Sequence, residues 1–261
     1  MELITSAQNP KIKLLQLLQQ KSSERRRQGL FVVEGRREIE RCIANGYRVD
    51  TVFCCPEIYG GEWQSNDERV VNVSAPIYNK VAYRGGTEGV IAEVAVKEQT
   101  LDMLRLPERP LIVVLESVEK PGNLGAVLRS ADAAGVDAVI VCDPLTDLYN
   151  PNLIRSSTGA FFSVPCVACT SQACIDFLKA RHIRILTAQL QDSSLYYDTD
   201  MCQATALVMG TEATGLTDLW RTVADAHIRI PMLGCADSLN VSVSAAILMF
   251  EAVRQRSYRL A

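Results

Sequence analysis

Leu207-Val208-Met209-Gly210-Thr211-Glu212-Ala213-Thr214-Gly215-Leu216, then Ile228-Arg229-Ile230-Pro231-Met232, then Ser238-Leu239-Asn240-Val241-Ser242 form the stretch on which the fold turns. The first piece reads as a short apolar strand that empties into a loop opened by Gly210 and closed by Gly215. The second is another short strand, stopped by Pro231 because proline has no N–H to give a β-ladder. The third is a polar turn into a helix, with Val241, Ala245, Leu248 and Ala252 recurring at the spacing of one buried face. Two strand exits and a helix start therefore lie close together in sequence. In α/β folds such exits collect the backbone groups that hold ligands.

Working upstream, Leu111-Ile112-Val113-Val114-Leu115 is a continuous apolar run of the kind found in strands covered on both faces. A loop, Glu119-Lys120-Pro121-Gly122-Asn123, feeds a helix expected over 124–134 and stopped by Gly135. Further strands are expected at 136–142, 164–168, 184–188 and 206–209, with helices after Asn150-Pro151 (carrying Arg155) and over 174–181. The pattern predicts a parallel sheet, nucleotide-binding in style. In the first half, Asn9-Pro10 is a helix start with Asn as cap and Pro at the first helical position. Ile12, Leu14, Leu15, Leu17 and Leu18 follow, and the helix is read through Arg25-Arg26-Arg27 to Gly29. Strands at 30–33, 49–54 and 89–96 and helices at 34–45 and 74–83 complete a smaller α/β domain. The predicted organisation is a domain over 1–96, a charged, proline-closed linker over 97–108, and a second domain over 109–261.

A hydrophobic content of 48% and a charged content of 22% in 261 residues suit a folded chain of one large or two smaller domains. The first residues lack the layout of a signal peptide, and no apolar run nears the ~18 residues of a membrane helix. Nine scattered cysteines, an odd number, do not form a secreted disulfide framework. The expected location is cytoplasmic. Net charge is −3, yet residues 1–48 carry ten Lys/Arg against five Asp/Glu, so a front end at +5 precedes a body at −8. Such a front end suits a polyanionic partner, and a solvated helix face accounts for the same charges.

Asn123-Leu124-Gly125-Ala126-Val127-Leu128-Arg129, Gly210-Thr211-Glu212-Ala213-Thr214-Gly215, and Ile230-Pro231-Met232 with Ser238-Leu239-Asn240 stand in this order across 109–256. The chain here resembles the SpoU (TrmH-like) branch of the SPOUT RNA methyltransferases. Residues 1–96 are similar to that family's L30e-like substrate-binding domain, through Asn9-Pro10-Lys11-Ile12-Lys13 and Phe31-Val32-Val33-Glu34-Gly35. The resemblance implies an enzyme that moves a methyl group from S-adenosyl-L-methionine to an RNA ribose 2′-hydroxyl. It also implies a SPOUT catalytic domain with a C-terminal trefoil knot, an exception to the rule against threaded connections. A homodimer joined through the catalytic domain is implied too, with the last helix at the interface.

Carried over by position, the resemblance makes Gly210, Ile230 and Leu239 cofactor-binding. Arg129, Asn123, Asn240, Ser238 and Glu212 become the catalytic group, and no metal is implied. Arg129 takes the activating role, which is chemically awkward because a protonated guanidinium has no acceptor. Either its site deprotonates it, or it holds a phosphate and polarises the oxygen while water takes the proton. Asn123 and Asn240 are amides suited to fixing loops and ribose. Ser238 and Glu212 tie loops or touch RNA, with Glu212 also a candidate base. Lys11, Lys13, Arg25, Arg26 and Arg27 are the candidate RNA contacts.

Each residue also has a plainer reading. Arg129 could form a surface ion pair, Asn240 could be only a helix cap, and the Gly210–Gly215 loop only a tight turn. Cys166-Val167-Ala168-Cys169 has metal-like spacing but no second pair, which favours structural thiols. His182 and His227 fall outside the motifs and read as structural. Within the resemblance, 23S ribosomal RNA is favoured over tRNA as substrate, and a non-catalytic ribosome assembly factor on the same fold is the other alternative. A nicotinamide enzyme is disfavoured because Gly122-Asn123-Leu124-Gly125 is not Gly-x-Gly-x-x-Gly.

Overall fold

Asn9 opens the first helix as its sequence predicts: Oδ1 accepts from Lys11 N at 2.9 Å, and Pro10 sits where no N–H is needed. The computed structural model describes residues 3–64, 68–83, 88–211 and 214–258. The described elements begin β1 (Leu3–Ile4), α1 (Pro10–Gln20), α2 (Ser22–Gln28), β2 (Leu30–Glu34), α3 (Arg36–Ala44) and β3 (Val49–Cys54). They continue α4 (Pro56–Tyr59), β4 (Arg69–Val73), α5 (Ala75–Val81), β5 (Val90–Ala95), β6 (Leu111–Glu116), α6 (Pro121–Ala134), β7 (Ala138–Cys142), α7 (Pro151–Ser156) and α8 (Ala160–Ser163). The last are β8 (Cys166–Cys169), α9 (Ser171–Ala180), β9 (Arg184–Ala188), β10 (Ser194–Leu195), β11 (Thr205–Met209), α10 (Asp218–Val223), β12 (Ala226–Arg229) and α11 (Val241–Tyr258).

The chain divides into two units, Met1–Glu98 with Tyr149–Ser163, and Gln99–Leu148 with Val164–Ala261. The first unit carries a mixed sheet in the order β1-β4-β3-β5-β2, with β5 antiparallel to both its neighbours. Ile12, Leu15 and Leu18 of α1 are fully buried in a core with Phe53, Tyr78 and Ile91. The single helix read through Arg27 is two helices, because Lys21 is extended at φ −122° and ψ 116°. Residues 149–163, assigned from sequence to the second domain, pack within the first unit through aromatic rings. Tyr149 lies 4.6 Å from Phe31 and Phe162 5.2 Å from Tyr47, centroid to centroid, and the Tyr149 hydroxyl donates to Lys97 O at 2.7 Å.

The second unit is a parallel sheet in the order β10-β12-β9-β11-β6-β7-β8. Every residue of β6, β7 and β11 is buried, as the unbroken apolar runs predict. Trp220 and Phe177 cover the sheet with Ile112, Ile140 and Val208. α6 and α11 pack together, burying Leu124, Val127 and Leu128 from one, and the predicted Val241, Ala245, Leu248 and Ala252 from the other. Each buried aliphatic side chain contributes roughly 1.5–3 kcal/mol. No helix of the described residues is long and apolar enough to cross a membrane.

Candidate active site

β12, β9 and β11 are neighbours in the sheet, so their C-terminal ends at Arg229, Ala188 and Met209 open side by side. The loops leaving them line a cleft of about 340 Å³ bounded by Gln189, Gly210, Arg221, Ser238 and Leu239. A hollow of about 140 Å³ lined by Ile230 and Met232 adjoins it, sharing Ser238 and Leu239. Gly210, Ile230, Leu239 and Ser238 are thus brought together from two of the three motifs. At Gly210 a Cβ would fall 2.2 Å from Gly215 O, so only glycine lets the two ends of this loop close. The loop is anchored from below by Glu116, which is buried and accepts from Thr217 N at 2.9 Å and Thr217 Oγ1 at 2.7 Å. Glu212 lies outside the described residues.

Asn240 does two jobs with one amide. Its Oδ1 accepts from Ser242 N at 3.0 Å and Ser242 Oγ at 2.6 Å, capping α11, while Nδ2 donates to Asn123 Oδ1 at 3.2 Å. Asn123 sits inside the first turn of α6, because the helix starts at Pro121 rather than at 124. Arg129 follows six residues later, about 9 Å along the helix axis. Its side chain is exposed, does not line the cleft, and among the described residues makes no hydrogen bond or ion pair. The surface ion pair of the plainer reading is therefore absent among those residues.

Two cleft residues escaped the sequence reading. Gln189 Oε1 and Arg221 Nε are buried without a hydrogen-bond partner among the described residues, although Gln189 Nε2 donates to Gln191 O at 2.9 Å. Gln189 directly follows the last residue of β9, the position at which parallel sheets present ligand-binding groups. That placement could have flagged it; nothing in the sequence around Arg221 could. An adenosine-bearing ligand suits this cleft. It has apolar walls in Leu190, Ile230 and Leu239, a close-set backbone at Gly210, and one acceptor and one donor awaiting partners.

In the first unit Lys11, Lys13 and Arg26 are exposed, and Arg27 is exposed but paired, Nε to Glu24 Oε2 at 3.1 Å. Arg25 does not belong with them. It is 3% exposed, and its Nη1 donates to Leu18 O at 2.5 Å and Gln19 O at 3.4 Å, satisfying carbonyls that the end of α1 leaves over. Nearby, Glu34 Oε1 accepts from Tyr83 N at 2.9 Å and Gln19 Nε2 at 3.2 Å. Burial pushes the Glu34 carboxyl above its ordinary range, against the Tyr83 N–H and Arg155. Glu34 Oε2 and Arg155 Nε lack partners among the described residues, and the Arg155 guanidinium lies 4.9 Å from the Tyr83 ring centroid. His227 Nδ1 lies 2.6 Å from Thr187 Oγ1.

A parallel sheet whose adjoining strand exits enclose an adenosine-sized cleft, beside two asparagines joined across helix starts, defines a ligand-binding α/β class. Residues 110–250, more than half of the chain, match the SpoU rRNA Methylase family, and the chain belongs to that family. Residues 9–92 match the MRM3-like substrate binding domain. The chain is 32% identical over 264 residues to the 23S rRNA (uridine(2479)-2′-O)-methyltransferase of Streptomyces viridochromogenes, covering 96% of this chain and 92% of that protein. It is similar to a crystal structure of an RNA 2′-O ribose methyltransferase, with TM-score 0.85 and 38% identity over 98% of this chain and 100% of that one. It is also similar to the SpoU methyltransferase AviRb of Streptomyces viridochromogenes in complex with AdoMet. That match has TM-score 0.85 and 30% identity over 96% of this chain and 99% of that one.

Proposed function

We propose that this chain transfers a methyl group from S-adenosyl-L-methionine to a ribose 2′-hydroxyl of 23S ribosomal RNA. The observation that carries the reading is the convergence of Gly210, Ile230 and Leu239 on one cleft and the hollow adjoining it, fastened to α6 through Asn240 and Asn123. When bound, the cofactor supplies a methyl group on a sulfonium, a leaving group that departs neutral. The chain's part is alignment, the larger share of catalysis for a displacement of this kind. Gly210, Ile230 and Leu239 hold the adenosine part through backbone, and Gln189 Oε1 offers an acceptor for an amino group. Asn123 and Asn240 fix the helix starts against the cleft. Arg129, with its guanidinium free of protein partners among the described residues, is available to an RNA phosphate or the ribose oxygen. Ser238 donates to Asp237 Oδ1 at 3.4 Å, placing a carboxylate on the cleft wall to receive a proton. A sulfonium displacement calls for no Lewis acid, so the transfer is read as metal-free.

RNA is held by the first unit, through Lys11, Lys13, Arg26 and Arg27. The preference for ribosomal over transfer RNA rests on the named relatives and on the substrate-binding domain matched over 9–92. The working form is a homodimer, supported by Val243 and Phe250, which leave 46% and 48% of their surface exposed seven residues apart on α11. The knotted path belongs to this reading, as does a cytoplasmic location. The test is methyl transfer from labelled S-adenosylmethionine to ribosomal and transfer RNA fractions, digested to nucleosides. A 2′-O-methylated nucleoside from the ribosomal fraction is expected. Label only in transfer RNA would change the substrate, no label with cofactor bound would point to a ribosomal particle or partner as missing context, and no label without cofactor binding would leave an assembly factor.

A further inference from the structure

β7 and β8 end on the same side of the sheet with Cys142 and Cys169 as register partners. α9 begins two residues beyond Cys169 and places Cys174 one turn in. Chain geometry alone therefore gathers three thiols from sequence positions that show no metal-binding spacing. Their sulfurs all lie within 4.8 Å of one another. Cys142 and Cys174 are fully buried, and Cys169 is half-buried. None of the three lines the cleft at the ends of β9, β11 and β12.

We propose that Cys142, Cys169 and Cys174 form a zinc(II) site, with three thiolate ligands and water in the fourth position on the open side of Cys169. Tetrahedral zinc with Zn–S bonds of about 2.3 Å holds its sulfurs about 3.8 Å apart. Closing the triad around an ion thus needs about an ångström of sulfur movement, within reach of small cysteine rotations. Three sulfur donors select soft or borderline cations over magnesium or calcium. The charge that bears on Cys169 from outside the triad is the Asp143 carboxylate, which accepts from Ser171 Oγ at 2.6 Å and Ser171 N at 3.0 Å. Three thiolates beside a carboxylate are better balanced by a divalent ion than by monovalent copper.

Such a site would tie the ends of two strands to the first turn of α9. From there Ser171 Oγ accepts from Trp220 Nε1 at 3.1 Å, linking the same turn to α10. Metal occupancy would therefore stiffen the support beneath the Gly210–Gly215 loop without touching the cleft.

The full-length protein, reduced and stripped with chelator, is titrated anaerobically with zinc(II) against a chromophoric chelator, and in parallel with cobalt(II) and copper(I). One zinc per chain, sulfur-to-cobalt charge-transfer absorption, and zinc protection of Cys169 from alkylation are expected. Cys169→Ser and Cys169→Ala should each weaken zinc binding at least tenfold while circular dichroism stays unchanged. Cys235→Ser, at an exposed cysteine outside the triad, should leave it unchanged. Zinc binding that survives both Cys169 variants would mark an adventitious ion only and overturn the proposal. Tight copper(I) without zinc, or a Cys142–Cys169 disulfide with no zinc uptake on reduction, would overturn it as well.

Discussion

Asn240 Nδ2 lies 3.2 Å from Asn123 Oδ1, joining two helix starts 117 residues apart in sequence. Because the same Asn240 side chain caps α11 through Ser242, one residue carries a stability role and a site role that substitution can separate. Asn240→Ala should lose both, at about 1 kcal/mol for the cap. Asn240→Asp keeps an oxygen for the cap and loses the donor to Asn123. Its melting temperature should stay within a degree or two of wild type while methyl transfer falls at least tenfold. Equal transfer by Asn240→Asp would reduce the asparagine pair to a cap with an incidental neighbour.

Gly210→Ala asks for a Cβ 2.2 Å from Gly215 O and 2.6 Å from Leu216 N, both backbone atoms that cannot step aside. The loop should open, lowering cofactor affinity at least tenfold in calorimetry. β11 below it keeps its ladders to β6 and β9. Wild-type affinity in this variant would remove the loop from the proposed cofactor site.

The central strands of the second unit were legible because β6 and β11 are buried on both faces and leave unbroken apolar runs. Pro231 likewise marked the end of a strand. The edge strands β1 and β10 are only two residues long, and the valines of β4 are preceded by Arg69 and interrupted by Asn72, so none of the three signals itself. Arg25 could not be told from Arg26 and Arg27 by composition, since its burial depends on α1 breaking at Lys21 and leaving carbonyls over. The cysteine pair with metal-like spacing, Cys166 and Cys169, is not the cluster that forms. Strand register joins Cys169 to Cys142 instead, and register is a property of the folded sheet. Residues 149–163 follow their aromatic rings into the first unit, and nothing in their own pattern announces the partners.

Arg25 and Arg26 are adjacent arginines with opposite expected phenotypes. Arg25→Ala removes a buried, charge-assisted donor from two carbonyls and should destabilise the protein by about 2 kcal/mol, measured by urea unfolding. Arg26→Ala should leave stability within about 0.5 kcal/mol. It should also weaken RNA binding and reduce the slope of log affinity against log salt by about one. An unchanged slope would return Arg26 to a solvated helix end.

Glu93 is buried, and burial first and the Asp50 carboxylate second push its carboxyl up to about 7, against Arg69 and Lys11. The unfolded chain loses this proton near 4.5, so between about 4.5 and about 7 the folded state holds a proton the unfolded state has given up. Stability from this group is therefore fully present below 4.5, falls as pH rises, and levels off above 7. Glu93→Gln should match wild type in urea at pH 4.5 and exceed it at pH 8 by on the order of 2–3 kcal/mol. Equal stability differences at both pH values would contradict the raised carboxyl.

Arg129 offers the sharpest division between binding and chemistry. Its side chain is exposed and, among the described residues, bonded to nothing, so truncation should cost the fold less than about 0.5 kcal/mol. It is absent from the cleft lining, so cofactor affinity should be unchanged in Arg129→Ala. If the guanidinium meets the ribose oxygen or its phosphate in the transition state, transfer should drop by about 10²–10³, the usual loss for one preorganised donor. Arg129→Lys separates charge from fork geometry: a compact ammonium restores attraction to phosphate but not a bidentate grip. Partial recovery in lysine, seen in kcat rather than KM, would assign Arg129 to positioning through charge. No recovery would assign it to two directed hydrogen bonds, and wild-type transfer by Arg129→Ala would remove it from the mechanism.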